Sequence, residues 1–73
     1  DALTRSVARS LEDYLARHPA AADTAQGIAQ WWLPPALRHG EAVVLKALAL
    51  LESAGTVERR RLPDGREVYG RPG

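Results

Sequence analysis

The sequence has no cysteine. No disulfide can staple the chain, and no thiolate can hold zinc or attack a substrate. A cysteine-free chain fits a reducing, cytoplasmic setting. Long apolar runs are missing too. None approaches the roughly 18 residues that a membrane helix needs, so no membrane partner is expected. The opening Asp1-Ala2-Leu3-Thr4-Arg5 has neither the basic region nor the apolar core of a secretory signal. Charge of one sign is scarce as well. The formal net charge is +1, whereas strong attraction to nucleic acid usually shows as a basic excess. Lysine occurs once, at Lys46, so nearly all the positive charge is guanidinium. Together with the many alanines, that preference reads mainly as coding bias.

What is present is enough for one small domain. The chain has 73 residues, of which 45% are hydrophobic. That apolar share is ordinary for a folded protein and argues against disorder. A domain this short buries only about 60% of its unfolded surface, so its stability margin is thin. Neither an internal repeat nor a low-complexity linker divides it, and its core is expected over about residues 3–71.

Hydrophobic spacing places three helices. Leu3, Val7, Leu11 and Leu15, filled in by Ala8 and Tyr14, make one face of an amphipathic helix from Leu3 to His18. Its other face carries Arg5, Arg9, Glu12, Asp13 and Arg17, where Arg9–Asp13 and Asp13–Arg17 have i,i+4 spacing. Pro19 stops it. After a connection over Ala20–Ala22, Asp23 reads as a helix N-cap with Gln26 completing a capping box. The second helix, about Thr24 to Trp32, puts Ala25, Ile28, Ala29 and Trp32 on one face. Pro34-Pro35 ends it. The third runs from about Glu41 to Ala54, with Gly55 as the left-handed residue beyond its end. Val44, Ala47, Leu48 and Leu51 form its apolar stripe, widened by Val43 and Leu50 on one flank and Leu45 on the other. Only Ala42, Lys46, Ala49 and Ser53 stay clear of it.

The tail reads as a β-hairpin. Thr56–Leu62 and Arg66–Arg71 flank Pro63-Asp64-Gly65, where proline opens a type I turn and glycine supplies a positive φ. That register sets Arg61 opposite Glu67 and Arg59 beside Tyr69.

This order, three helices and then a hairpin, resembles the winged-helix superfamily over about residues 3–71. The most specific stretch is Leu48-Ala49-Leu50-Leu51-Glu52-Ser53-Ala54-Gly55-Thr56-Val57-Glu58-Arg59, which looks like the end of a recognition helix entering the first wing strand. Asp23-Thr24-Ala25-Gln26-Gly27-Ile28-Ala29 resembles the second helix of that family. The resemblance implies an α+β, mostly α fold. It also implies DNA binding as the default, with the third helix in the major groove and the wing on the backbone. The groove-facing positions would then be Ala42, Val43, Leu45, Lys46 and Ala49. Direct base readout needs side chains such as Arg, Asn or Gln, and Lys46 is the one candidate among them. Arg38, Arg59, Arg60, Arg61 and Arg66 would supply phosphate contacts. The connection from Leu33 to Gly40 is longer than the usual turn of a helix-turn-helix.

A different use of the third helix explains more of its composition. A helix apolar over more than half its circumference cannot bury every side chain inside so small a domain. An exposed apolar patch usually marks a protein interface. Val43, Leu45 and Leu50 are therefore candidates to meet a protein partner or a second copy of the chain; the other use for them is to cover the core. Trp31 and Trp32 cannot both face inward, because neighbours on a helix differ by about 100°. Trp32 follows Ile28 by four and suits the core. Trp31 is either an interface anchor or a cover over Pro34-Pro35 or an arginine stem. Arg59-Arg60-Arg61 either meets phosphates or makes a solvated strand that resists edge pairing.

Nothing in the pattern points to catalysis. His18 and His39 have no second ligand at metal-binding spacing, and Ser6, Ser10 and Ser53 have no cue for an activating base. Glu12 and Asp13 are adjacent on a helix and diverge, and there is no glycine-rich phosphate loop. The expectation is a recognition module without cofactor, metal or small-molecule substrate. A protein partner or self-association leads, double-stranded DNA is the alternative, and an accessory domain of a longer chain is a third reading.

Overall fold

Asp1 starts the first helix, α1, Ala2–Arg17: its carboxylate accepts from the Thr4 amide at 2.8 Å. Val7, Ala8, Leu11 and Leu15 are buried along one face, as the four-residue spacing requires. The helix ends at Arg17 with His18 as its C-cap. The two i,i+4 charge pairs expected on its outer face do not form as ion pairs. Arg17 Nε instead donates to the Asp13 carbonyl at 3.4 Å, a choice open to a long, solvated side chain that gains little from a surface carboxylate.

The computed structural model describes residues 1–73. Beyond Pro19 it departs from expectation. Ala22–Asp23 is a two-residue strand, β1, rather than a plain connection. Asp23 is consequently not the N-cap of the second helix, α2, Ala25–Trp31. Thr24 is, with its hydroxyl accepting from the Gly27 amide at 3.1 Å. The cause is register: Asp23 pairs across the sheet with Tyr69, so its backbone is extended and the helix begins one residue later. Its carboxylate accepts from the Thr24 amide at 2.7 Å. α2 closes with Trp32 as C-cap. Pro34-Pro35 then leads into a single 3₁₀ turn, Pro35–Leu37.

Gly40, at φ 102°, separates that turn from the third helix, α3, Glu41–Ser53. At the far end Gly55 (φ 78°) takes the left-handed conformation. The Thr56 amide donates to the Leu51 carbonyl at 2.8 Å and the Gly55 amide to Glu52 at 3.1 Å, the paired bonds of a Schellman ending. This turns the chain into the hairpin β2, Glu58–Arg61, and β3, Glu67–Gly70. The strands are shorter than expected, yet Arg61 faces Glu67 and Arg59 faces Tyr69 as the turn chemistry dictates. Gly65 (φ 91°) accommodates the turn, whose Leu62 carbonyl accepts from the Gly65 amide at 2.9 Å.

The fold is α+β and mostly α: three helices followed by a hairpin, a layout compatible with a winged helix. The sheet has three antiparallel strands in the order β1-β3-β2, with β3 at the centre. The core is one cluster in which Val7, Leu11, Ile28, Val44 and Leu48 are essentially sealed. Trp32, Leu33, Leu51, Val57 and Tyr69 close it towards the sheet and the loop after α2. No buried side-chain polar atom lacks a hydrogen-bond partner. No helix is long and apolar enough to cross a membrane.

Candidate functional site

α3 lies at the centre of the molecule and is still half open to solvent. Val44, Ala47, Leu48 and Leu51 point into the core. The opposite side presents Ala42, Lys46, Ala49 and Ser53, all exposed, at spacings of four, three and four that keep them on one face. Two leucines flank this face, about 140° apart around the helix. Leu45 is 43% exposed and Leu50 50% exposed. Leu45 borders a shallow depression of about 370 Å³ shared with Gln26, Glu41, Arg66, Glu67 and Tyr69, so its flank is the one towards the wing. Leu50 stands on the other flank. Val43 is half-buried and packs against the core. It shares the flank of Leu50 but sits about 20° further towards the core stripe, and its partial burial fits the core-covering use.

Trp31 is 72% exposed, while Trp32 is 7% exposed. Trp31 does not seal anything; it lines an open depression of about 550 Å³ with Gln26, Gln30, Arg38, Gly40 and Glu41. This second depression adjoins the first through Gln26 and Glu41. Gln26 is thus a surface lining residue. The capping-box role expected for it fell away when the cap moved to Thr24.

The arginines are spread apart by the fold. Arg38 lies outside α3, beyond Gly40, and its Nε donates to the Leu33 carbonyl at 3.1 Å. Arg59 reaches Glu52 of α3 at 3.5 Å and Glu67 of β3 at 3.7 Å. Arg61 meets Glu67 at 3.6 Å. Arg66 Nε donates to Asp64 at 2.7 Å. Arg60 alternates to the other face of β2, opposite Val68, and forms no ion pair. Within the wing and the end of α3, Arg59, Arg60, Arg61 and Arg66 are matched by Glu52, Glu58, Asp64 and Glu67. The region is therefore close to neutral.

One titration is displaced. The Asp64 carboxyl is held below the ordinary aspartate range, first by the hydrogen bond from the Arg66 amide and then by the Arg66 guanidinium. No group of three or more histidine, aspartate or glutamate side chains is placed to hold a metal ion. Neither the reach of Glu52 to the wing nor β1 has a periodic signal in the sequence. Glu52 reaches the wing only because the Schellman turn folds β2 back beside the helix end.

The strip of α3 centred on Ala42, Lys46, Ala49 and Ser53 therefore offers hydrocarbon, one ammonium group and one hydroxyl, with the exposed carboxylates of Glu41 and Glu52 beside it on the Leu45 flank. Such a surface can exclude water against another protein but has few donors for base edges. No protein-family model matches the chain, and a search of the curated proteins finds none similar to it.

Proposed function

We propose that the chain is a non-catalytic winged-helix module that docks protein, itself or another chain, through the solvent face of α3. The observation that carries this reading is the face itself: Ala42 and Ala49 at its centre with Lys46 as the one charge between them, and Leu45 and Leu50 half-exposed on its flanks. Small residues let another backbone approach closely, and flanking leucines supply apolar area that water does not favour. The winged-helix assignment is supported by the element order and by the sheet order β1-β3-β2. The lack of cysteine fits a cytoplasmic setting.

The test is a photo-crosslinking amino acid at position 49, with one at Ser6 on α1 as control, together with sedimentation over the micromolar range. The reading expects adducts from position 49, to a second copy or to an identified protein, that are lost in Leu45→Glu and Leu50→Glu. A strictly monomeric chain giving no adduct from position 49 overturns it.

A second reading, a duplex-binding regulator, is favoured by the layout and by the unpaired Arg60. It would place Lys46 in the groove and Arg60 on the backbone, with Arg38 and the remaining wing arginines as further phosphate contacts. It expects duplex binding that weakens with salt. No binding at low salt dismisses it.

A further inference from the structure

We propose that Glu67 is a specificity determinant that keeps polyanions off the wing. The hairpin carries three consecutive arginines, Arg59-Arg60-Arg61, the composition expected of a phosphate-binding wing. Their placement works against that use. Alternation sends Arg59 and Arg61 to one face of β2 and Arg60 to the other. On the shared face both guanidinium groups converge on one carboxylate, Glu67, at 3.7 and 3.6 Å. Arg59 also bridges to Glu52 at 3.5 Å. A phosphate approaching either arginine meets the negative charge of Glu67 at close range, and like charges at an interface suppress wrong partners.

The ion pairs are open to solvent, with side-chain accessibilities of 48% for Arg59, 73% for Arg61 and 37% for Glu67. Pairs of this kind contribute little to stability. Their effect lies in the local field, so removing Glu67 leaves the fold standing and changes what the wing attracts. Glu58 provides the control. It lies on β2 beside the arginines, is exposed, and forms no ion pair, so neutralising it makes the same change in net charge without freeing Arg59 or Arg61.

The experiment titrates a random-sequence DNA duplex against the parent chain, Glu67→Gln and Glu58→Gln at low salt, with circular dichroism to confirm folding. The titration is then repeated at rising salt. Glu67→Gln is expected to bind about tenfold tighter than Glu58→Gln, and its log–log salt slope to steepen by about 0.9 for each added phosphate contact. Equal gains in the two variants would reduce the effect to bulk charge and overturn the proposal. So would no gain in Glu67→Gln, or a parent chain that already binds as tightly. The outcome is independent of docking by α3, which is read from position 49.

Discussion

Tyr14 and Trp32 stack, with ring centroids 4.5 Å apart and planes 13° from parallel. The contact joins the last turns of α1 to the end of α2, and His18 lies on the same tyrosine at 4.5 Å. Trp32→Ala deletes that partner and opens a cavity in the core, at a cost of about 3–5 kcal/mol. A domain of this length has about 4–11 kcal/mol in total, so the variant is expected to be largely unfolded on mild heating. Trp31→Ala, one residue away and exposed, is expected to stay within about 0.5 kcal/mol of the parent. Urea titrations of both variants check this, and equal losses would contradict the burial assignment.

Three glycines give different answers to the same substitution. A Cβ at Gly70 would lie 2.9 Å from the Ala21 carbonyl oxygen and 3.2 Å from Ala22 Cβ. The first is a backbone atom just before β1 and the second is the Ala22 side chain within it, so the chain there must move. Gly70→Ala is expected to cost about 1–3 kcal/mol. At Gly55 there is room, but φ is 78°, and an alanine there costs about 1–2 kcal/mol in left-handed strain. At Gly27 the obstacle is the Asp23 carboxylate, a side chain that can turn away. Helix propensity offsets that loss by roughly 1 kcal/mol, so Gly27→Ala should differ little from the parent. Thermal unfolding of the three variants should rank them in this way.

Gly70 also marks where sequence reading stopped. The helices were legible because their apolar residues recur every three or four positions. The hairpin register was legible because Pro63-Asp64-Gly65 leaves few ways to pair the flanking strands. β1 was not legible. Ala22–Asp23 has no alternation and no β-branched residue, and it is a strand only because β3 passes beside it. The same pairing moved the cap from Asp23 to Thr24, the somewhat weaker of two good N-cap residues. In the candidate site, an overfull apolar arc could be read from α3, but not which members would spill out. Geometry assigned Val43 to the core and Leu45 and Leu50 to the surface. Arg61–Glu67 followed from register, whereas Glu52–Arg59 depends on the angle between a helix and a wing.

The wing turn carries a pH signature. Asp64 accepts from the Arg66 amide at 3.0 Å and from its guanidinium at 2.7 Å, and both lower its pKa. A group whose folded pKa is depressed contributes stability above its unfolded pKa and loses it as pH falls through the folded value. The contribution to the turn should therefore be complete above the ordinary aspartate range, decline as pH falls through it, and be gone below the folded midpoint. A carboxyl NMR titration should place the Asp64 midpoint below that of a short peptide containing the same turn residues. Arg66→Ala should raise it part of the way, because the amide bond remains. A midpoint equal to that of the peptide would contradict the assignment.

The two flanking leucines separate docking from stability. Each is about half-exposed, so Leu45→Ser and Leu50→Ser give up only part of the roughly 1.5–3 kcal/mol of a fully buried leucine. Each variant should unfold within about 1 kcal/mol of the parent. A partner covering the whole face would need both, since they sit on opposite flanks of Ala42 and Ala49. Either substitution should then weaken docking at least about tenfold, or 1.4 kcal/mol, whether the partner is a second copy or another protein. Loss with Leu45→Ser alone would instead confine the contact to the wing side, beside the depression that Leu45 shares with Tyr69 and Arg66. Sedimentation and crosslinking yield at position 49 measure this directly. Docking that survives both substitutions cannot involve this face of α3.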